Sequence, residues 1–185
     1  AAEQTKPYIF WNATANQNFL KLVNANAPQT IAGILVAHTH NDGIRMVSSD
    51  GDMTAYEMFT GSISPIHENN PSFKIYSYSG SSITNFVTYY FNLGAMKNGA
   101  TPAWQFEYNF ADTYGNSKAP GVFDTVKRLL QGYQLYVYPT YRADYMKYYV
   151  ASSSHKQITS KNFTAYFCAA RAQTFNGYQG CLNSL

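Results

Sequence analysis

An α/β (α+β) domain, a mixed sheet with a few helices packed on it, is the architecture that this sequence predicts, and three stretches predict it. Residues 31–37 form an unbroken apolar run, too short for a typical helix and bounded by Pro28 and by Asn41-Asp42-Gly43. Such a run reads as a strand buried on both faces. Trp104, Phe106, Tyr108 and Phe110 alternate with Gln105, Glu107 and Asn109, the period of a strand with one buried face. Val122, Phe123, Val126, Leu129 and Leu130 recur at helical spacing, with Gly132 just beyond as a stop.

The remaining elements follow in chain order. Residues 8–14 and 19–23 read as two strands around an Asn/Gln turn. In the strand over 31–37, Gly33 would allow a close approach to the backbone. Ser48-Ser49-Asp50-Gly51-Asp52 leads into a helix over 53–59, and a Ser/Pro/Asn loop over 61–71 carries His67 and Glu68. Residues 73–78 and 83–91 pair as a hairpin through Ser79-Gly80-Ser81-Ser82. The aromatic strand keeps Glu107 on its polar face. After the helix over 122–130, residues 134–141 return as a strand. Residues 142–150 are ambiguous, and the loop over 152–155 holds His155. A short helix over 163–173 carries Cys168, and Gly177 and Gly180 turn the chain toward Cys181. No internal repeat or domain boundary is evident. The 185 residues read as one domain, a sheet-and-helix core over 1–150 and a C-terminal extension over 151–185.

Composition narrows the function classes. Charged residues make up 12% of the chain, about half the ordinary share. Thirteen basic residues stand against ten acidic ones with no Lys/Arg run, so no electrostatic footprint for nucleic acid is present. No apolar run approaches the roughly eighteen residues of a membrane span. The cysteines, Cys168 and Cys181, are spaced for a local disulfide, which points to a secreted or periplasmic protein. The Ala1-Ala2-Glu3 start has no charged-then-apolar leader, as expected where a signal has been removed. Asn12-Ala13-Thr14 and Asn162-Phe163-Thr164 match the glycosylation sequon. The G-x-S-x-G elbow, the P-loop, G-x-G-x-x-G and H-E-x-x-H motifs are all missing.

Chemistry concentrates at the end of the apolar run. His38 and His40 are two apart, so on a strand they would point to one side. Imidazole is the commonest metal ligand, and zinc takes three or four N, O or S donors around one point. Asp52, or Asp50, would bring a carboxylate back to the pair. The same Ser49-Asp50-Gly51-Asp52 also fits a capping box, which explains Ser49 and Asp52 without a metal.

Apolar strand, His38-Thr39-His40, loop and Ser49-x-x-Asp52 together resemble the JAMM (MPN-plus) metalloprotease motif over about thirty residues. The resemblance implies one zinc ion held by His38, His40 and Asp52, with Ser49 assisting the transition state. It implies an upstream glutamate as general base. Glu3 is the only acid before His38, and Glu107 is the next candidate. The expectation is therefore an exported zinc hydrolase that cleaves an amide or isopeptide bond in a protein, a peptide or a peptidoglycan cross-bridge. The alternative is a non-catalytic secreted domain that binds a protein or glycan through a surface rich in the chain's seventeen tyrosines.

Overall fold

The computed structural model describes residues 11–49, 51–115 and 121–185. It is a mixed α/β arrangement with two small three-stranded sheets and several helices. Helix α1, Ala13–Asn26, comes first, and it replaces the strand expected over 19–23 and the Asn/Gln turn before it. Asn12 accepts a hydrogen bond from the Ala15 amide at 2.8 Å, so a side chain satisfies one free donor of the helix start. Phe19, Leu20 and Val23 then fall on one face and cover Val47 and Ala55 of the first sheet. The proposed strand over 8–14 lies partly outside the described residues.

The first sheet has the order β1-β3-β2, from β1 (Ile34–Val36), β2 (Gly43–Ser49) and β3 (Asp52–Phe59). β1 runs parallel to β3, and β2 runs antiparallel to it. Two expectations change places here. The apolar run over 31–37 yields only a three-residue edge strand with Leu35 half exposed, whereas the segment read as a helix over 53–59 is the central strand. Met53, Ala55, Tyr56, Glu57 and Met58 are buried, on both faces of the sheet. A strand covered on both sides loses the alternation that identifies strands, and pairing with two neighbours outweighs the helix propensity of Met, Ala and Glu. Ser49 and Asp52 do not cap a helix. They face each other as the last pair of a hairpin whose two-residue turn has Gly51 at φ 90°. Gly33 meets its expectation: a Cβ there would overlap the Tyr56 ring.

The second sheet is an antiparallel meander of β4 (Ser72–Ser79), β5 (Ser82–Phe91) and, after the short α2 (Leu93–Lys97), β6 (Trp104–Asn109). Its hairpin is the expected one. Its faces are not. In the β5–β6 ladder Thr88 pairs with Tyr108 and Tyr89 with Phe106, which leaves Glu107 as the extra residue of a bulge. The bulge reverses the alternation. Trp104 and Phe106 lie exposed on the outside, beside Phe73, Tyr89 and Phe91, while both Glu107 and Tyr108 are buried. Glu107 is therefore inside, where a polar-face position was expected.

The helices α3 (Phe110–Tyr114), α4 (Val122–Leu130), α5 (Gln134–Val137), α6 (Pro139–Tyr148), α7 (Phe163–Arg171) and α8 (Phe175–Ser184) complete the chain. α4 is the predicted helix; Val122, Val126, Leu129 and Leu130 are fully buried, and it packs on β2, β3 and β5. The strand expected over 134–141 is instead α5 and the start of α6, with Pro139 in the first turn of α6, where its missing N–H costs nothing. Ile44, Met46, Tyr56 and Met58 of the first sheet share one core with Phe86 and Tyr108 of the second and with Ile158, Phe163 and Phe167. The Cys168–Cys181 disulfide is formed and ties α7 to α8, which contains both Gly177 and Gly180. Among the described residues no helix is long and apolar enough to cross a membrane.

Candidate functional site

All four histidines of the chain lie in three adjoining loops, 37–42, 60–71 and 149–162. β1 ends at Val36 and the chain leaves it through His38 and His40, both with left-handed backbone, φ 88° and 63°. Glu68 (φ 63°) in the second loop and Ala151 and Ser152 (φ 51° and 53°) in the third share that conformation. Of the six non-glycine residues with positive φ among the described residues, only Tyr133 lies elsewhere. Each costs about 1–3 kcal/mol and persists only where the surroundings hold it, and such strain clusters at functional sites.

Backbone hydrogen bonds hold these loops together. The Ser62 amide donates to the His40 carbonyl (3.2 Å), the Asp42 amide to the Tyr149 carbonyl (3.0 Å) and the Asn70 amide to the Val150 carbonyl (3.1 Å). The Asn70 side chain donates to the Ala151 carbonyl at 2.9 Å, and Gln157 donates to the His67 carbonyl at 2.5 Å. The His67 ring meets the His40 ring edge-on, with centroids 4.8 Å apart. His155 and Glu68 approach to 3.6 Å, a solvent-exposed contact of little weight.

Beneath the rim lies a buried polar cluster. Lys74 of β4 donates to Asp42 Oδ1, and the Tyr108 hydroxyl donates to Asp42 Oδ2 at 2.8 Å. Burial pulls the Lys74 ammonium below its usual range against the opposing pull of Asp42, and burial drives the Tyr108 hydroxyl well up. Ser152 donates to Glu107 Oε1 at 2.8 Å, while Oε2 is buried without a partner. Burial pushes Glu107 up to about 8; the Ser152 hydrogen bond works against it, Asp42 adds to it, and Lys74 and Lys147 oppose it.

The residues expected to act together are split. His38 and His40 share the first loop, but Asp52 opens β3 at the end opposite Phe59, the partner of Val36. Seven strand rises of about 3.3 Å separate those ends by roughly 23 Å. The Asp52 carboxylate accepts from Gln131 Nε2 at 2.9 Å, and Ser49 stands beside it in the hairpin turn, equally far from the histidines. Glu3 and Asp50 lie outside the described residues. Glu107 is near the loops through Ser152, on the inner side.

One nitrogen of the histidine loop is open to a ligand: His40 Nδ1 is buried without a hydrogen-bond partner among the described residues, a position that a cation or an ordered water would satisfy. Among the described residues, no group of three or more His, Cys, Asp or Glu could hold a metal ion by itself. His38 and His40 would thus be two donors of a larger set.

The chain is similar to the acid sphingomyelinase-like phosphodiesterase 3b of Homo sapiens, with 27% identity over 161 residues, covering 76% of this chain and 35% of that protein. It is also similar to the sphingomyelinase phosphodiesterase D of Dictyostelium discoideum, with 28% identity over 107 residues, 54% of this chain and 24% of that protein. These relatives are phosphodiesterases, not peptidases. The chain spans about a third or less of their length, and no family model matches it. The JAMM resemblance, and with it the metalloprotease activity and the peptide, isopeptide or peptidoglycan substrate, is overturned by this similarity. The separation of Asp52 and Ser49 from the histidines agrees with the correction, because His-x-His followed by Ser-x-x-Asp is too short a pattern to fix a fold. Among the described tyrosines, Tyr78 and Tyr138 are exposed, Tyr56, Tyr108, Tyr114, Tyr145 and Tyr178 are buried, and the others are partly buried. Asp42, Lys74 and Asn70 went unnoticed in the sequence. A lysine inside a strand of a chain so poor in charge was the available signal.

Proposed function

We propose that this chain carries part of the active centre of a phosphodiesterase, in which His38 and His40 are metal ligands. The observation that carries the reading is the similarity to two phosphodiesterases, joined to a left-handed histidine loop with an unpartnered buried nitrogen. The chemistry fits. A phosphodiester has charged oxygens that hydrolysis must stabilise, and when bound a zinc ion supplies Lewis-acid polarisation of a phosphoryl oxygen. His38 and His40 would hold one such ion, with further donors from groups other than those described. The His67 ring packs against the His40 ring in a T-shaped contact, and the Ser62 amide donates to the His40 carbonyl. Three hydrogen-bonded loops give the site a backbone that need not reorganise during turnover. The substrate class is a phosphodiester, with a lipid headgroup as one member. The Cys168–Cys181 disulfide supports an oxidising compartment, secreted or periplasmic, as part of this reading. The reading takes residues 1–185 as one domain, because buried Ile158, Phe163 and Phe167 share the core of the sheets.

The test pairs a metal readout with a chemical one. Zinc bound per chain, determined by elemental analysis after purification without a histidine tag, should fall to background in His38→Ala/His40→Ala. Hydrolysis of bis(4-nitrophenyl) phosphate by the zinc-loaded protein should fall by roughly a hundredfold or more in His40→Ala, about 2.7 kcal/mol of barrier. Equal zinc content in the double variant and the wild type would reject the assignment.

A further inference from the structure

Lys74 and Asp42 form the most buried of the described ion pairs, with side chains 1% and 6% exposed. Burying two charges takes them out of water at a cost that mutual attraction often does no more than offset, and such a pair replaced by apolar residues is commonly neutral or stabilising for the fold. Stability alone therefore does not account for it. Its location does. Asp42 lies two residues past His40 and four past His38, and both its carboxylate oxygens and its amide are engaged. Oδ1 receives Lys74, Oδ2 receives the Tyr108 hydroxyl, and the amide donates to the Tyr149 carbonyl. Lys74 and Tyr108 are themselves rigid. Lys74 stands on β4 with its Nζ 4.5 Å from the Phe86 ring centroid, and the Tyr108 ring stacks on Tyr148 at 4.2 Å. The second sheet thus grips the loop that carries both histidines immediately beyond their left-handed residues.

We propose that Lys74 and Tyr108 are positioning residues which, through the Asp42 carboxylate, hold the His38–His40 loop in its strained backbone and so preorganise it for a divalent cation. The proposal rests on the metal-ligand reading above. Groups that orient ligands in this way typically change metal affinity by about 10–100-fold when removed.

The test compares four proteins: the wild type, Tyr108→Phe, Lys74→Met/Asp42→Leu, and His38→Ala/His40→Ala. Zinc affinity is measured by competition with a chromophoric chelator, and amide hydrogen exchange over residues 38–42 is followed without metal. The Lys74→Met/Asp42→Leu protein should keep the thermal midpoint of the wild type or exceed it, yet bind zinc at least about tenfold more weakly and exchange these amides faster. Tyr108→Phe, which deletes a single hydroxyl, should move both readouts in the same direction by a smaller factor. A folded Lys74→Met/Asp42→Leu protein with native affinity and native exchange overturns the positioning role and leaves the metal reading standing. If that variant does not fold, unchanged affinity and exchange in Tyr108→Phe overturn it instead. A wild type that binds zinc no better than His38→Ala/His40→Ala overturns both readings at once.

Discussion

At the bulge of β6, Glu107 faces Ser152, Asp42, Lys74 and Lys147 with one oxygen hydrogen-bonded and the other buried and unpartnered. Burial pushes its carboxyl up to about 8, so the folded protein keeps a proton that the unfolded chain releases near 4.5. Between those values the native state binds more protons than the unfolded state, and stability falls as pH rises. At about 1.4 kcal/mol for each pKa unit, the whole swing is on the order of a few kcal/mol. Glu107→Gln keeps the shape and the acceptor for Ser152 without an ionisable proton. Its stability should match the wild type at pH 5 and exceed it at pH 8.5, as read from urea midpoints at the two values. Titrating histidines are common to both proteins and drop out of the difference. A constant gap between the two proteins across that range would mean that Glu107 is ionised throughout. The sequence drew attention to the histidine pair at this scale, because two imidazoles after an apolar run stand out. It did not make Asp42 legible, because Asn-Asp-Gly also reads as an ordinary turn and only the fold brings Lys74 and Tyr108 to it.

Among the elements, the disulfide between α7 and α8 closes a loop of sequence separation 13. The chain-entropy model gives such a loop about 3 kcal/mol. Cys168→Ser/Cys181→Ser should lower the unfolding free energy by roughly that amount, plus a penalty for a hydroxyl at the fully buried Cys168, measured in urea. A loss under about 1 kcal/mol would show that the tail is held by packing alone. Elements with strong local signals were readable in advance: the β4–β5 hairpin, α4 with its apolar stripe, and α7. The first sheet was not, for a physical reason. Its central strand, β3, is buried on both faces and rich in helix formers, and its edge strand, β1, looks like a core strand in sequence while pairing over three residues. Asp50-Gly51 is a strong hairpin signal, yet Ser49 and Asp52 around it mimic a helix start. In β6 the aromatic alternation was correctly seen as a strand, but one bulge inverted which aromatics are inside.

For the molecule as a whole, the similarity covers about a third or less of much longer phosphodiesterases, and the described residues hold no group of three metal donors, so the proposed centre would take two imidazoles from them. The coarse mixed α/β class was legible from periodicity, whereas one mixed sheet was expected and two three-stranded sheets are found; the peptidase chemistry was misread because the family pattern around the histidines was too short to discriminate. The outer side of the meander sheet presents Ile75, Trp104 and Phe106, each about half exposed, next to Phe73 and Tyr89. Concentrated stocks of this polypeptide should turn cloudy, more so as sulfate is added, and light scattering should rise steeply with protein concentration. Trp104→Lys/Phe106→Lys should keep such solutions clear while leaving the histidine loop untouched, which would make that double variant the practical material for spectroscopy at millimolar strength.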